Sequence, residues 1–153
     1  MSDGTDAERR LRRLEILADL SELLAKYAFN ADIPGRGRDW VALWTADGVM
    51  DTGAKVCRGH DELYAFITAP GSPSGRSHHH PGEPAVFRVL DDDHATGESY
   101  SMTYVRNDDS EMRPATTAFR QWAFARVDGR WLIQSCKLRL VGSDDAPETI
   151  TIR

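Results

Sequence analysis

The chain has little of what marks several large protein classes. Only two cysteines, Cys57 and Cys136, occur in its 153 residues. Two cysteines cannot make the framework of a disulfide-stapled secreted domain. Neither has a CxxC partner or an adjacent base, so no nucleophilic thiol is expected. No run of about 18 apolar residues is present to span a membrane as a helix. Positive charge is not in excess: 19 Lys and Arg stand against 24 Asp and Glu, a formal net charge of −5. That balance gives no footprint for a phosphate backbone, so nucleic acid is not an expected partner. Met1 to Asp6 are polar and acidic with no apolar stretch behind them. No signal peptide is therefore expected, and a reduced cytoplasmic setting is. Neither GxGxxG nor a P-loop occurs.

What is present suits a single globular domain spanning 1–153, with extended or disordered ends at about 1–5 and 142–153. Hydrophobic residues make up 41% and charged residues 28%, enough for a core without staples. Leu11, Leu14, Leu17, Leu20, Leu24 and Ala28 recur at three- and four-residue steps. They predict one long amphipathic helix over about 6–30, opened by the capping-box pattern Thr5-x-x-Glu8 and stopped by Pro34, Gly35 and Gly37. Asp39 is the predicted N-cap of a short second helix carrying Trp40 and Trp44, ended by Asp47-Gly48. A strand is predicted at 49–52. A third helix is predicted near Gly59 or His60, burying Leu63, Phe66 and Ile67, and 70–75 reads as a loop.

The remainder is strand-like. Ala85 to Leu90 is apolar-rich, and Tyr100, Met102 and Tyr104 alternate with Ser99, Ser101 and Thr103 at period two. Thr116–Val127 and Arg130–Val141 flank Asp128-Gly129, a strong hairpin signal. Ile150-Thr151-Ile152 reads as a late edge strand. Helices come first and strands last, which predicts an α+β fold: a curved antiparallel sheet with helices on its concave face and a pocket between them.

Three features carry candidate chemistry. Tyr27 lies on the apolar stripe of the first helix. Asp32 follows at that helix's C-terminal end, where the dipole disfavours an anion and burial needs a partner, unless it is a solvated turn residue. His78, His79 and His80 are consecutive. In an extended strand two of them face one way and one the other. A histidine facing a carboxylate across a pocket is a general-base arrangement. Adjacent histidines in a strand cannot converge on one ion, so no metal is expected. His60 and His94 are expected to be exposed. Lys137 and Arg139 are read as solvated or as a possible anion clamp in the cavity.

These residues bring a family into view. The stretch from about Leu11 to Val141 resembles the nuclear transport factor 2-like superfamily, in particular its SnoaL-like and scytalone dehydratase-like (bile-acid dehydratase-type) proteins. The markers are Tyr27-x-x-x-x-Asp32, Asp39-Trp40-x-x-Leu43-Trp44-x-x-Asp47-Gly48, Arg58-Gly59-His60-Asp61-Glu62-Leu63, a histidine before the first long strand, and Asp128-Gly129-Arg130-Trp131-x-Ile133. The resemblance implies a cone-shaped α+β fold wrapped around the long helix, with two further short helices. It implies a catalytic Asp–His pair, with a Tyr five positions before the Asp and the His 48 after it. Those intervals fall here on Tyr27, Asp32 and His80. No histidine follows His94, so the second catalytic histidine of scytalone dehydratase has no counterpart.

The reaction so implied is a cofactor-independent elimination or isomerisation of a small apolar molecule of steroid, polyketide or terpenoid type. Trp44, His79, Tyr104 and Trp122 would line the ligand. No cofactor is expected. A homodimer or homotrimer through the sheet is. The alternative is a non-catalytic ligand-binding or accessory module on the same fold.

Overall fold

The apolar stripe of the first helix anchors the architecture. In a computed structural model that describes residues 3–70, 77–81, 85–106 and 111–144 (the backbone alone at 3, 4 and 77–81), helix α1 runs Asp3–Asp32. Ile16, Leu20, Leu23, Leu24, Tyr27, Ala28 and Ala31 are buried along one side, as a 3.6-residue repeat requires. The stripe extends beyond the core it serves. Leu11 and Leu14 are 58% and 63% exposed, so the helix's early turns project past the packed region. The helix also begins ahead of Thr5, which places that residue in the first turn and not at the N-cap.

Helix α2 (Gly37–Val41) starts two residues before Asp39, at an N-cap, Arg36, that makes no side-chain cap bond. Trp40 supplies its reason to form, being fully buried against α1. The helix stops at Val41, and strand β1 (Trp44–Asp51) already includes Asp47-Gly48. The correction has a local cause: β1 pairs with β7 at Trp44 and again from Val49, and the shift in register between them absorbs the turn-like dipeptide. Strand β2 (Val56–Arg58), helix α3 (Gly59–Thr68), β3 (Ser77–Pro81), β4 (Val86–Val89), β5 (His94–Arg106), β6 (Met112–Val127) and β7 (Arg130–Leu140) follow. Leu63 and Ile67 of α3 are buried, and Phe66 packs at the edge of the core. The predicted loop at 70–75 and the predicted edge strand at 150–152 fall mostly or wholly outside the described residues.

The sheet has seven strands in the order β2-β1-β7-β6-β5-β3, with β4 also on β5. All pairs are antiparallel except β1 with β7, where the expectation was antiparallel throughout. A parallel neighbour is possible because β1 comes from the helical first half of the chain and needs no hairpin to reach β7. The β6–β7 hairpin turns on Asp128 (φ 49°) and Gly129 (φ 77°), the two left-handed residues that a tight hairpin turn needs. Helix α1 packs across β3, β4 and β7, closing the concave face.

Arg139, one of the two basic residues flagged on β7, does not enter the cavity. It grips Asp51 of β1 with both ends of its fork, Nη1–Oδ1 3.0 Å and Nη2–Oδ2 2.9 Å. Lys137 is exposed. Arg139 and the Gly53 N–H hold the Asp51 carboxyl down from its ordinary 3.8 to about 2. A carboxyl depressed in the folded state stabilises above its unfolded value, and that contribution is lost as pH falls through the folded one. Asp51→Asn should therefore cost about 1–2 kcal/mol at neutral pH, after allowance for side chains that are still partly wet. It should also flatten the decline in stability between about pH 4 and 2. Urea unfolding of both proteins across that range checks it; identical pH profiles would show that the pair contributes nothing.

Candidate active site

The site grows from the period-two face of β5 and β6. Ser99 and Ser101 of β5 are buried while Tyr100 and Met102 are 49% and 40% exposed. The hydroxyl set therefore faces inward and the large apolar set outward. The reason lies on β6, where Ala118, Arg120, Trp122 and Phe124 form the inward series. Trp122 donates its indole N–H to Ser99 Oγ at 3.0 Å, and Arg120 donates Nε–H to Ser101 Oγ at 2.9 Å. Each contact is diagonal across the ladder, since Arg120 stands opposite Ser99 and Trp122 opposite Gly97.

Arg120 is the residue that sequence reasoning missed. It is 4% exposed. Its Nη1 donates to the Tyr27 hydroxyl oxygen at 2.9 Å and lies 3.7 Å from Cys136 Sγ. Its guanidinium carbon sits 5.3 Å from the centre of the Tyr27 ring and 5.5 Å from that of Trp122. The signal that could have found it is its phase: an arginine two positions from a tryptophan, in the apolar register of a strand, must find partners inside.

Tyr27 reaches this cluster from α1. Its ring packs 5.4 Å from Trp40, 6.2 Å from Trp44 and 5.2 Å from Trp122. Burial pushes its phenol pKa up, Arg120 opposes that, and Asp32 adds a smaller upward push. Tyr27 is thus a neutral O–H at physiological pH whose oxygen already accepts a charged hydrogen bond. The Cys136 thiol is likewise pushed up by burial, against the pull of Arg120, and the Cys57 thiol is raised by burial. Neither is a thiolate nucleophile. Tyr27, Arg120, Ser99, Ser101, Trp122, Leu24 and Ala28 line a cavity with room for about one water, roughly 10 Å³, inside an opening of about 260 Å³ that includes adjoining solvent.

Of the expected site residues, Tyr27 and Trp122 line this cavity. Asp32 closes α1, half-buried, near enough to Tyr27 to influence its acidity. The three histidines stand on β3, a strand packed on α1. The backbone register sets His78 opposite Tyr104, His79 opposite Thr103 and His80 opposite Met102. Position 79 is thus in register with the inward series Ser99–Ser101–Thr103, and position 80 with the outward series. Trp122 is in the cavity wall. Trp44 is buried in the aromatic core beside Trp40, at 5.2 Å. His60 and His94 are exposed, as expected. His60 Nε2 lies 3.1 Å from the Trp44 carbonyl oxygen, and His94 Nδ1 3.0 Å from Asp91. Among the described residues no three His, Cys, Asp or Glu side chains converge on a metal position, and no helix is long and apolar enough to cross a membrane.

Comparison with known families decides the lineage. The SnoaL-like domain model matches residues 12–137. The chain belongs to the SnoaL-like family. No curated protein sequence matches it significantly. Solved structures agree on the architecture. An NTF2-like protein with a cystatin-like fold from Novosphingobium aromaticivorans superimposes with a TM-score of 0.83 at 25% identity, covering 98% of this chain and 96% of its own. A Mycobacterium tuberculosis protein of unknown function gives 0.74 at 24% identity, covering 90% and 88%. A Novosphingobium aromaticivorans protein provisionally named as a scytalone dehydratase gives 0.68 at 17% identity, covering 84% and 86%. This SnoaL-like chain thus shares an NTF2-like fold, a long helix held in a curved sheet, with proteins of several different names.

Proposed function

We propose that the protein is a cofactor-independent lyase or isomerase that removes a proton beside a carbonyl of a small, mostly apolar molecule. The observation that carries this reading is the Tyr27 hydroxyl: buried, kept protonated, and held by Arg120 at 2.9 Å in the wall of a cavity between helix and sheet. A phenol so held is poised to donate to a carbonyl oxygen as negative charge develops on it. The base comes from β3. Asp32 orients the imidazole of His80 and stabilises its protonated form, in line with the spacing of the dehydratase-like proteins. The strand register supports a second assignment, His79 as the base with His80 beside it, because position 79 falls in line with the inward series. In either case the abstracted proton is returned at another carbon, giving isomerisation, or a β-hydroxyl leaves as water, giving elimination.

The family comparison supports the reading at the level of fold, and the scytalone dehydratase-named neighbour points to the same chemistry. The test uses proton exchange, so it does not need the natural substrate. A panel of aryl and polycyclic ketones and β-hydroxy ketones is incubated with the protein in D₂O and followed by NMR. Deuterium uptake at the α-carbon, or loss of the hydroxyl, is expected for at least one compound. If compounds that bind with saturation exchange no faster than in buffer, the protein is a binding or accessory module instead.

A further inference from the structure

Arg120 brings a permanent positive charge to a position that is 4% exposed. Every acceptor it meets there is uncharged: Ser101 Oγ, Tyr27 Oη and Cys136 Sγ. The rings of Tyr27 and Trp122 offer it only their faces. Among the described residues no carboxylate pairs with it, and its Nη2 donates no hydrogen bond. The Tyr27 proton is similarly unspent, since the oxygen accepts from Arg120 and the O–H reaches no described acceptor. A cation taken out of water and left without a counter-charge is costly, and neutral hydrogen bonds recover only part of that cost. The free donors belong to two residues that line the same cavity, which has room for about one water, and so for one oxygen atom.

We propose that the ligand of this cavity carries an anionic oxygen, from a carboxylate or an equally acidic enol or phenol, which binds between Arg120 Nη2 and the Tyr27 hydroxyl. Its apolar remainder lies along Leu24, Ala28 and Trp122. A neutral carbonyl would gain hydrogen bonds at this spot. An anion gains stronger, charge-assisted ones and also supplies a counter-charge that none of the described residues provides. The substrate is then a small organic acid with an apolar body, not a neutral steroid- or terpenoid-like molecule. This rests on the cavity being the ligand site, as proposed above, but not on the reaction carried out there.

The experiment compares matched acids and amides: formate with formamide, benzoate with benzamide, 2-naphthoate with 2-naphthamide. Binding is followed by tryptophan fluorescence, which Trp122 in the cavity wall should report, and by calorimetry. In the wild-type protein at least one acid should bind roughly tenfold or more tightly than its amide. In Arg120→Met that preference should fall to about twofold or less, measured at a temperature where the variant is folded, since Ser101 Oγ and the Tyr27 oxygen lose their donor. Arg120→Lys should retain only part of the preference, lacking the planar fork. The proposal is overturned if no acid outbinds its amide in the wild type, a comparison that needs no variant, or if Arg120→Met keeps the preference. Binding is scored without turnover, so the two readings fail separately. Acid preference in a protein that exchanges no proton leaves this inference standing alone. Proton exchange without acid preference leaves only the reaction.

Discussion

Trp40→Ala should destabilise the protein by about 3–5 kcal/mol, the cost of removing a large aromatic side chain from a packed interior. Trp40 has no exposed surface and joins the first two helices to β1 through its contacts with Tyr27 and Trp44. The five-residue helix that carries it has no side-chain cap and is too short to be stable by itself. Its position therefore depends on packing, chiefly of this indole and of Val41, the two residues it buries. Trp40→Phe should cost far less. The indole N–H is buried without a hydrogen-bond partner among the described residues, so exchanging it for a ring edge leaves no new polar orphan. Urea unfolding gives both values, and the midpoint should move with little change in slope. A loss below about 1.5 kcal/mol for the alanine variant would mean that the surroundings collapse into the space, which the ring-to-ring contacts on two sides argue against. Because Tyr27 leans on Trp40, the alanine variant should also weaken ligand binding at temperatures where it remains folded.

The elements that were legible in the sequence are those whose pattern is local. The stripe from Leu20 to Ala31 specifies α1, and Asp128-Gly129 specifies the β6–β7 hairpin, because period and turn chemistry act over a few residues. Boundaries were less legible. Asp39 looks like a cap, but the burial of Trp40 pulls the helix start back to Gly37. Asp47-Gly48 looks like a terminator, but pairing with β7 carries the strand through it. Leu11 and Leu14 continue a stripe that the sheet is not long enough to cover. The alternation in β5 was plain in the sequence, but which set faces inward depends on a strand elsewhere in the chain. Ser99 and Ser101 are inside because Trp122 and Arg120 need their hydroxyls. The phase of Arg120 marks it as inward, but its partner was invisible for the same reason: nothing in its own neighbourhood shows that Tyr27, 93 residues away, will meet it. Tyr27 and Asp32 stood out because an aromatic hydroxyl and a carboxylate on a core-facing helix are anomalies that sequence alone displays.

Asp32→Asn should lower turnover by about 10²–10⁴-fold, the range that a positioned acid–base pair supplies, while leaving the unfolding midpoint nearly unchanged. Asparagine keeps the size and the hydrogen-bonding oxygen but not the charge, so an imidazole beside it would be held in place yet lose the stabilisation of its protonated form. The histidine variants separate the two assignments on β3. If His80 is the base, His80→Ala should lose as much activity as Asp32→Asn, and the double variant should lose little more, since residues that act as a unit are not additive. His79→Ala should then change KM more than kcat. If the strand register decides the matter, the two outcomes exchange places. Tyr27→Phe should fall between them, losing the donor to the developing oxyanion but not the base, at a cost of about 10²–10³-fold. Near wild-type turnover in Asp32→Asn would remove the dyad altogether. The proton would then be taken by a group that works without Asp32, with Arg120 and Tyr27 still holding the oxygen of the substrate.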